Sequence, residues 1–199
     1  MRAVMPEVQP AIRDWRRRTG ADRWDEMWEG KLHMPPAPSI EHQNFAMALG
    51  EWLTAHWRRR QPGNKVHPPI NVASPGGWPN DYRIPDLVLV TAASRGADRG
   101  EYYEGAPTVV IEIRSPGDES YEKLGFYAKL GVPEVWIIDR DSKTPEVYLL
   151  DADHYQKQVA SQEGWISSAA TGIRLRPEGG KLSMEMIDDP HTRRLLPED

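Results

Sequence analysis

Two apolar runs separated by a helical segment constrain the fold of this chain most strongly. The runs cover 108–114 and 134–139, and both are rich in the β-branched residues typical of buried strands. A helix is predicted from about Glu119 to Leu130, because Gly131 and a proline two residues later form a helix stop. Strands joined by a helix are expected to be parallel, with a right-handed βαβ crossover.

The residues before this unit predict a hairpin, a long helix and two more strands. Residues 24–34 carry a hairpin pattern, with a glycine at the expected turn. Ser39 is a suitable N-cap for an amphipathic helix over 40–60, whose apolar residues recur at three- and four-residue steps. Strands are expected around 65–72 and over 85–91.

The chain divides into an arm, a domain and a tail. Residues 1–23 are predicted to be an exposed basic arm or short helix, and 24–187 a single domain. Within that domain, 146–150 and 154–160 alternate like an antiparallel extension. Residues 188–199 are expected to be a polar, frayed tail.

Composition excludes several classes of protein. The chain has 199 residues, enough for one substantial core, and no cysteine, so disulfides, thiolate ligands and cysteine nucleophiles are excluded. It lacks a His-Glu-x-x-His motif, a glycine-rich phosphate loop and a Gly-x-Ser-x-Gly elbow. No apolar stretch approaches the roughly 20 residues that span a bilayer, and no secretory signal is evident. We therefore expect no membrane contact and a cytoplasmic location.

The charge distribution leaves two interpretations open. The formal net charge is −5, whereas nucleic-acid binders are usually basic. Arginines nevertheless cluster within 13–18 and over 58–60, and local fields steer ligands more than the total charge does. Each cluster is either a solvated helix end or part of a surface for an anionic partner.

Two carboxylates predict a metal site. Glu112 lies inside the first apolar run and Asp86 opens the strand before it; such acids need a cation or hydrogen-bond donors when buried. Alternation along a strand puts Val110, Glu112 and Arg114 on one face. If the two strands are neighbours, Asp86 and Glu112 can share one Mg²⁺ or Mn²⁺, which would activate water and neutralise phosphate charge.

A cation besides the metal is expected at such a site. Arg114 follows Glu112 by two residues on the same face, and Lys123 lies in the following helix on one stripe with Tyr127. The plain structural alternative is that Lys123 is solvated and pairs with Glu119 four residues earlier.

The order of these residues resembles the PD-(D/E)XK nuclease superfamily, which has the restriction-endonuclease-like fold. Within it, the chain resembles the Uma-two-type family of bacterial endonucleases over about residues 24–150. The stretches that carry the resemblance are Trp28-Glu29-Gly30-Lys31-Leu32, Pro38-Ser39-Ile40-Glu41-His42, Ile84-Pro85-Asp86-Leu87-Val88, Val110-Ile111-Glu112-Ile113-Arg114-Ser115-Pro116, Lys123-Leu124-Gly125-Phe126-Tyr127-Ala128 and 131–139.

The resemblance implies an α/β fold with an α-β-β-β-α-β core, a mixed central sheet flanked by helices, and an active site at Asp86 and Glu112. The family commonly places the motif lysine on the following helix, which favours Lys123 over Arg114. An acid from the first helix can complete the metal site in related nucleases, so Glu41 is a candidate. His42, on the apolar stripe of that helix, is either a supporting site residue or a hydrogen-bonded core residue.

These observations predict a divalent-metal-dependent endonuclease that hydrolyses DNA. Asp86 and Glu112 would bind the metal, Lys123 would position or activate water, and Arg114 and Tyr127 would support them. The competing hypothesis is a nuclease-fold protein with weak or no catalysis that serves as a nucleic-acid-binding or assembly module; a phosphohydrolase for small nucleotides is a third. A homodimer is conceivable, because cutting both strands of a duplex suits two-fold symmetry.

Overall fold

The computed structural model describes residues 3–5 and 9–198, within which the chain forms three α-helices and seventeen strands. The first half contains β1 (Ala3–Met5), α1 (Pro10–Thr19), β2 (Glu26–Trp28), β3 (Lys31–Met34), α2 (Ile40–Trp52), β4 (Lys65–His67), β5 (Val72–Ala73), β6 (Tyr82–Arg83), β7 (Leu87–Val90), β8 (Arg95–Asp98) and β9 (Tyr103–Ala106). The second half contains β10 (Val109–Arg114), α3 (Leu124–Leu130), β11 (Glu134–Asp139), β12 (Pro145–Asp151), β13 (His154–Lys157), β14 (Ile166–Ser167), β15 (Ile173–Glu178), β16 (Lys181–Met186) and β17 (Asp189–Leu196).

The strands form three sheets. The central six-stranded sheet has the order β13-β12-β11-β10-β7-β4. In it β10 pairs with β11 in parallel and with β7 antiparallel, so α2-β4-β7-β10-α3-β11 is the predicted α-β-β-β-α-β core. The predicted hairpin is β2–β3, part of a seven-stranded sheet, and β12–β13 is the predicted antiparallel extension.

The two faces of the central sheet bury different layers. One face, with Ile111 and Trp136, packs against Phe45 and Leu49 of α2 and against the four-stranded sheet β14-β15-β16-β17. The other face carries Val110 and packs against α3. The alternation predicted for β10 is therefore correct, and Glu112 lies on the face towards α3.

The helix α2 begins where Ser39 predicts. The Ser39 hydroxyl accepts a hydrogen bond from the backbone N–H of His42 at 3.2 Å, which caps the first turn. After Trp52 the chain continues as a π-helical turn over Leu53–Trp57 and a 3₁₀ turn over Arg58–Arg60. The helical segment thus covers the predicted 40–60, with a changed hydrogen-bond pattern in its last third.

The start of α3 corrects the sequence prediction. The helix begins at Leu124 instead of about Glu119. The Asp118 carboxylate accepts hydrogen bonds from the backbone N–H groups of Ser115 and Ser120, which holds this segment in a turn. Lys123 consequently stands at the last position before the helix.

The prediction of a frayed tail over 188–199 is wrong for its larger part. Residues 189–196 form β17, which pairs antiparallel with β16. Leu196 is buried, and the backbone oxygen of Thr192 accepts a hydrogen bond from the Trp52 indole at 2.9 Å. The strand looks polar in sequence because it lies at a sheet edge and exposes its charged side chains.

The N-terminal arm is partly ordered against the domain. Residues 3–5 pair with β3, and α1 ends at Gly20 in a left-handed conformation. The Arg16 guanidinium binds both carboxylate oxygens of Asp25, at 2.5 and 2.6 Å. The arm residues 1–2 and 6–8 lie outside the described residues. Among the described helices, none has the length and apolar character needed to cross a membrane.

Candidate active site

A cleft of about 590 Å³ opens beside β10, between the start of α2 and the turn before α3. The side chains that line it include Glu26, His42, Asp86, Glu112 and Lys123. The sheet brings them together because β7 and β10 are antiparallel neighbours and α3 packs on the face that carries Glu112.

Glu112 is the most deeply buried acid of the cleft, with 3% of its surface exposed. The Tyr127 hydroxyl donates to Oε1 at 2.6 Å, and the Lys123 ammonium donates to Oε2 at 3.1 Å. Burial raises the pKa of Glu112 to about 8, although Lys123 opposes the rise. Tyr127 has its own pKa raised by burial and by Glu112, so it stays protonated and keeps donating.

Lys123 joins two carboxylates. Its Nζ lies 2.9 Å from Oε1 of Glu26 and 3.1 Å from Oε2 of Glu112. Burial favours the neutral amine, but the two carboxylates outweigh it and the pKa of Lys123 is raised above its ordinary value. The side chain is therefore a fixed positive charge, and it is unsuited to accept a proton.

Asp86 lies directly before β7 and is held on both oxygens. Oδ2 accepts from the backbone N–H of Ile113 at 2.7 Å, which places this carboxylate beside the residue next to Glu112. Oδ1 lies 2.7 Å from Nε2 of His42. Because a carboxylate only accepts, Nε2 donates this hydrogen bond, and Nδ1 lies 3.4 Å from the Ser115 hydroxyl.

His42 is a buried residue of the α2 stripe that hydrogen-bonds Asp86, and its role as a supporting site residue stays a prediction.

Glu26 was not singled out by the sequence analysis. It is 4% exposed, and besides Lys123 it binds the backbone N–H of Ile84 at 2.8 Å and the Trp28 indole N–H at 2.7 Å. Glu112 was recognised as an acid among the apolar residues of a strand, and the same pattern could have identified Glu26. The strand β2 has only three residues, which is too short for that pattern to be visible.

Two candidates do not reach the cleft. Arg114 forms an ion pair with Asp139 at the end of β11 and lies over the Tyr121 ring, so it leaves the position beside Glu112 to Lys123. Glu41 is exposed and pairs with Lys143 at 3.3 Å. It precedes His42 by one residue, about 100° around the helix, so it points sideways when His42 points inward.

The donor set suits a hard divalent cation. Asp86 and Glu112 offer carboxylate oxygens in one cleft, and the chain has no thiolate. Across residues 3–5 and 9–198, no group of three or more His, Cys, Asp or Glu side chains is arranged to hold a metal ion. An ion bound here would accordingly take other oxygen donors, chiefly water, which is usual for Mg²⁺.

Comparison with known proteins agrees with this architecture. One solved structure, a "putative nuclease belonging to DUF820" from Anabaena variabilis ATCC 29413, matches with a TM-score of 0.57. It is 18% identical, and the match covers 73% of this chain and 82% of that one. At this identity the likeness shows the fold alone, and it confirms the predicted restriction-endonuclease-like class. Among curated proteins, no sequence matches.

A family model decides the membership. The model of the Uma2 family, described as "Putative restriction endonuclease", matches residues 13–178, which is more than half of the chain. It includes the hairpin, α2, the central sheet and every residue of the cleft. The chain therefore belongs to the Uma2 family.

Proposed function

We propose that this protein is a divalent-metal-dependent endonuclease that hydrolyses phosphodiester bonds of DNA. The observation that carries the proposal is the meeting of Asp86, Glu112 and Lys123 in one cleft, two carboxylates and one buried cation. This combination suits phosphodiester hydrolysis, because a bound metal and a cation can stabilise the negative charge that develops on the phosphate oxygens while water attacks. The description of the family as restriction endonucleases is the reason to propose DNA as the substrate.

Asp86 and Glu112 would hold Mg²⁺ or Mn²⁺. When bound, that ion would supply charge neutralisation at the phosphate and acidify the attacking water. Lys123, which stays protonated, would donate a hydrogen bond to the attacking water or to a phosphate oxygen instead of acting as a base. Tyr127 fixes Glu112 and His42 fixes Asp86, so both acids enter the reaction already oriented.

The test is a cleavage screen on single-stranded, duplex, nicked and branched DNA with Mg²⁺ and with Mn²⁺. We expect cleavage of at least one substrate, abolished by EDTA and by Asp86→Asn or Glu112→Gln. Glu41→Gln is the matched control, because Glu41 is a nearby acid on α2 that does not line the cleft. Cleavage that survives in either cleft variant would reject the assigned roles.

A second candidate is a nuclease-fold module that binds nucleic acid without cutting it. This candidate is favoured by the hydrogen bonds that Lys123 and Tyr127 donate to the two carboxylate oxygens of Glu112, because a metal ion would have to compete with them. DNA binding by the wild type, without cleavage of any substrate with either ion, would select it. Two-fold assembly and a cytoplasmic location stay predictions under both candidates.

A further inference from the structure

We propose that the cavity adjoining the cleft is a subsite for one nucleobase of the DNA substrate, with Trp24 as its stacking surface. The inference rests on the proposed function and adds to it: the protein would hold a base next to the scissile phosphate as well as the phosphate itself.

The cavity lies directly beside the catalytic carboxylates. It has a volume of about 690 Å³ and is formed between α2 and the segment around β4. Trp24 and Asp86 line this cavity and also the cleft, so the two spaces meet at these residues. A nucleotide whose phosphate sits at Asp86 carries its base one sugar away, and the cavity is the adjoining space that can receive it.

The walls suit an uncharged planar group better than a phosphate. Met47, which is 61% exposed, and Pro68 provide apolar surface. Gln43 and Asn44 on the first turns of α2 are exposed and offer amide donors and acceptors of the kind that bind base edges. The charged residues that line the cavity are Glu51, Asp86 and Arg59, two acids and one base, so no net positive charge attracts a phosphate here.

Trp24 has one ring face left for a base, because Arg23 lies over the other. It is half-buried, and within the described part of the chain its indole N–H donates to no residue. The indoles of Trp28, Trp52 and Trp136, by contrast, donate to Glu26, Thr192 and Glu134. The Arg23 guanidinium lies over the Trp24 ring, 5.2 Å from its centre, as a cation–π contact.

The test compares two single strands of equal charge: a twelve-nucleotide oligothymidylate and a twelve-unit abasic strand with the same phosphates. Binding is measured by fluorescence anisotropy with Ca²⁺ in place of Mg²⁺. Because stacking of one base on an aromatic side chain is lost on truncation, Trp24→Ala should weaken oligothymidylate binding by roughly 5- to 150-fold. It should leave abasic binding nearly unchanged. Trp24→Phe should keep most of the affinity.

Two further variants complete the test: one is a control outside the cavity, and the other is a second, milder substitution in its wall. Trp15→Ala removes another partly exposed tryptophan, 53% exposed on α1, and should change neither affinity. Asn44→Ala, at an exposed helix position, should weaken oligothymidylate binding by about 2- to 12-fold and spare the abasic strand.

Equal oligothymidylate binding by wild type and Trp24→Ala, with DNA cleavage intact, would overturn the subsite alone. A wild-type protein that neither binds nor cuts any DNA would overturn the subsite together with the proposed function.

Discussion

Lys123→Met removes the one buried cation that holds Glu26 and Glu112, and it is the sharpest test of the electrostatics of the cleft. Methionine keeps an unbranched apolar stem close to that of lysine and lacks the terminal ammonium group. In the wild type Nζ contacts both carboxylates, at 2.9 and 3.1 Å, and none of the three side chains is more than 12% exposed. Deleting one partner of a buried ion pair leaves the other charge uncompensated, which costs about 3–5 kcal/mol.

The stability that Lys123→Met loses should increase as the pH rises. Unfolded Glu112 loses its proton near pH 4.5, whereas in the fold burial raises its pKa to about 8. Stability from this group therefore falls as pH rises from about 4.5 to 8 and then levels off. Without Lys123 the pKa of Glu112 rises further, so the fall continues above pH 8 at about 1.4 kcal/mol per pH unit.

The assay is urea unfolding followed by tryptophan fluorescence at pH 7 and pH 9. We expect Lys123→Met to be less stable by about 3–5 kcal/mol, or about 6–20 °C in Tm, and the deficit to be about 1 kcal/mol larger at pH 9. Lys129→Met is the matched control, because this lysine of α3 is 78% exposed and should change stability by less than about 0.5 kcal/mol. A deficit below about 1 kcal/mol at pH 9, or one independent of pH, would refute the reasoning.

Three other substitutions and one titration probe the same structure. Tyr127→Phe removes the 2.6 Å hydrogen bond to Glu112 and should cost about 1.5–3 kcal/mol in urea unfolding. His42→Ala leaves Asp86 without its side-chain donor and should weaken Mn²⁺ binding about 10- to 100-fold in calorimetry. Ser39→Ala removes the cap of α2 and should cost about 0.5–2 kcal/mol. Because an ion must displace the proton from Glu112, the apparent Kd for Mn²⁺ should fall about tenfold per pH unit from pH 6 to 8.

Each of these has a result that contradicts it. Tyr127→Phe as stable as the wild type would mean that the hydroxyl does not support Glu112. Unchanged Mn²⁺ affinity in His42→Ala would remove the orienting role, and unchanged unfolding of Ser39→Ala would remove the cap. A Kd for Mn²⁺ that is flat between pH 6 and 8 would show that Glu112 is already ionised or is not a ligand.

The sequence predicted the parts of the fold that local patterns determine. The runs around Glu112 and over 134–139 are continuous and β-branched, so their burial and the parallel βαβ pairing could be read directly. Ser39 and Gly131 mark the start of α2 and the end of α3, and both ends were found. The side of the sheet on which Glu112 lies could also be predicted, because side chains alternate along a strand and only the strand β10 itself had to be identified.

The errors arose where long-range contacts decide the outcome. The segment before Lys123 looks helical, but Asp118 holds it in a turn that adjacent residues alone do not reveal. The strand over 189–196 has few apolar residues, and its order comes from pairing with β16. Glu26 could not be placed at the site, because it meets Lys123 only after the hairpin folds against α3.

The central claim is that Asp86 and Glu112 share one divalent ion. Isothermal titration of the purified protein with Mn²⁺ at pH 8, for the wild type, Asp86→Asn and Glu112→Gln, tests it most directly. We predict one ion per chain in the wild type and loss of that binding in each variant, with Glu41→Gln unaffected. An ion that binds with wild-type affinity in either cleft variant would contradict the claim.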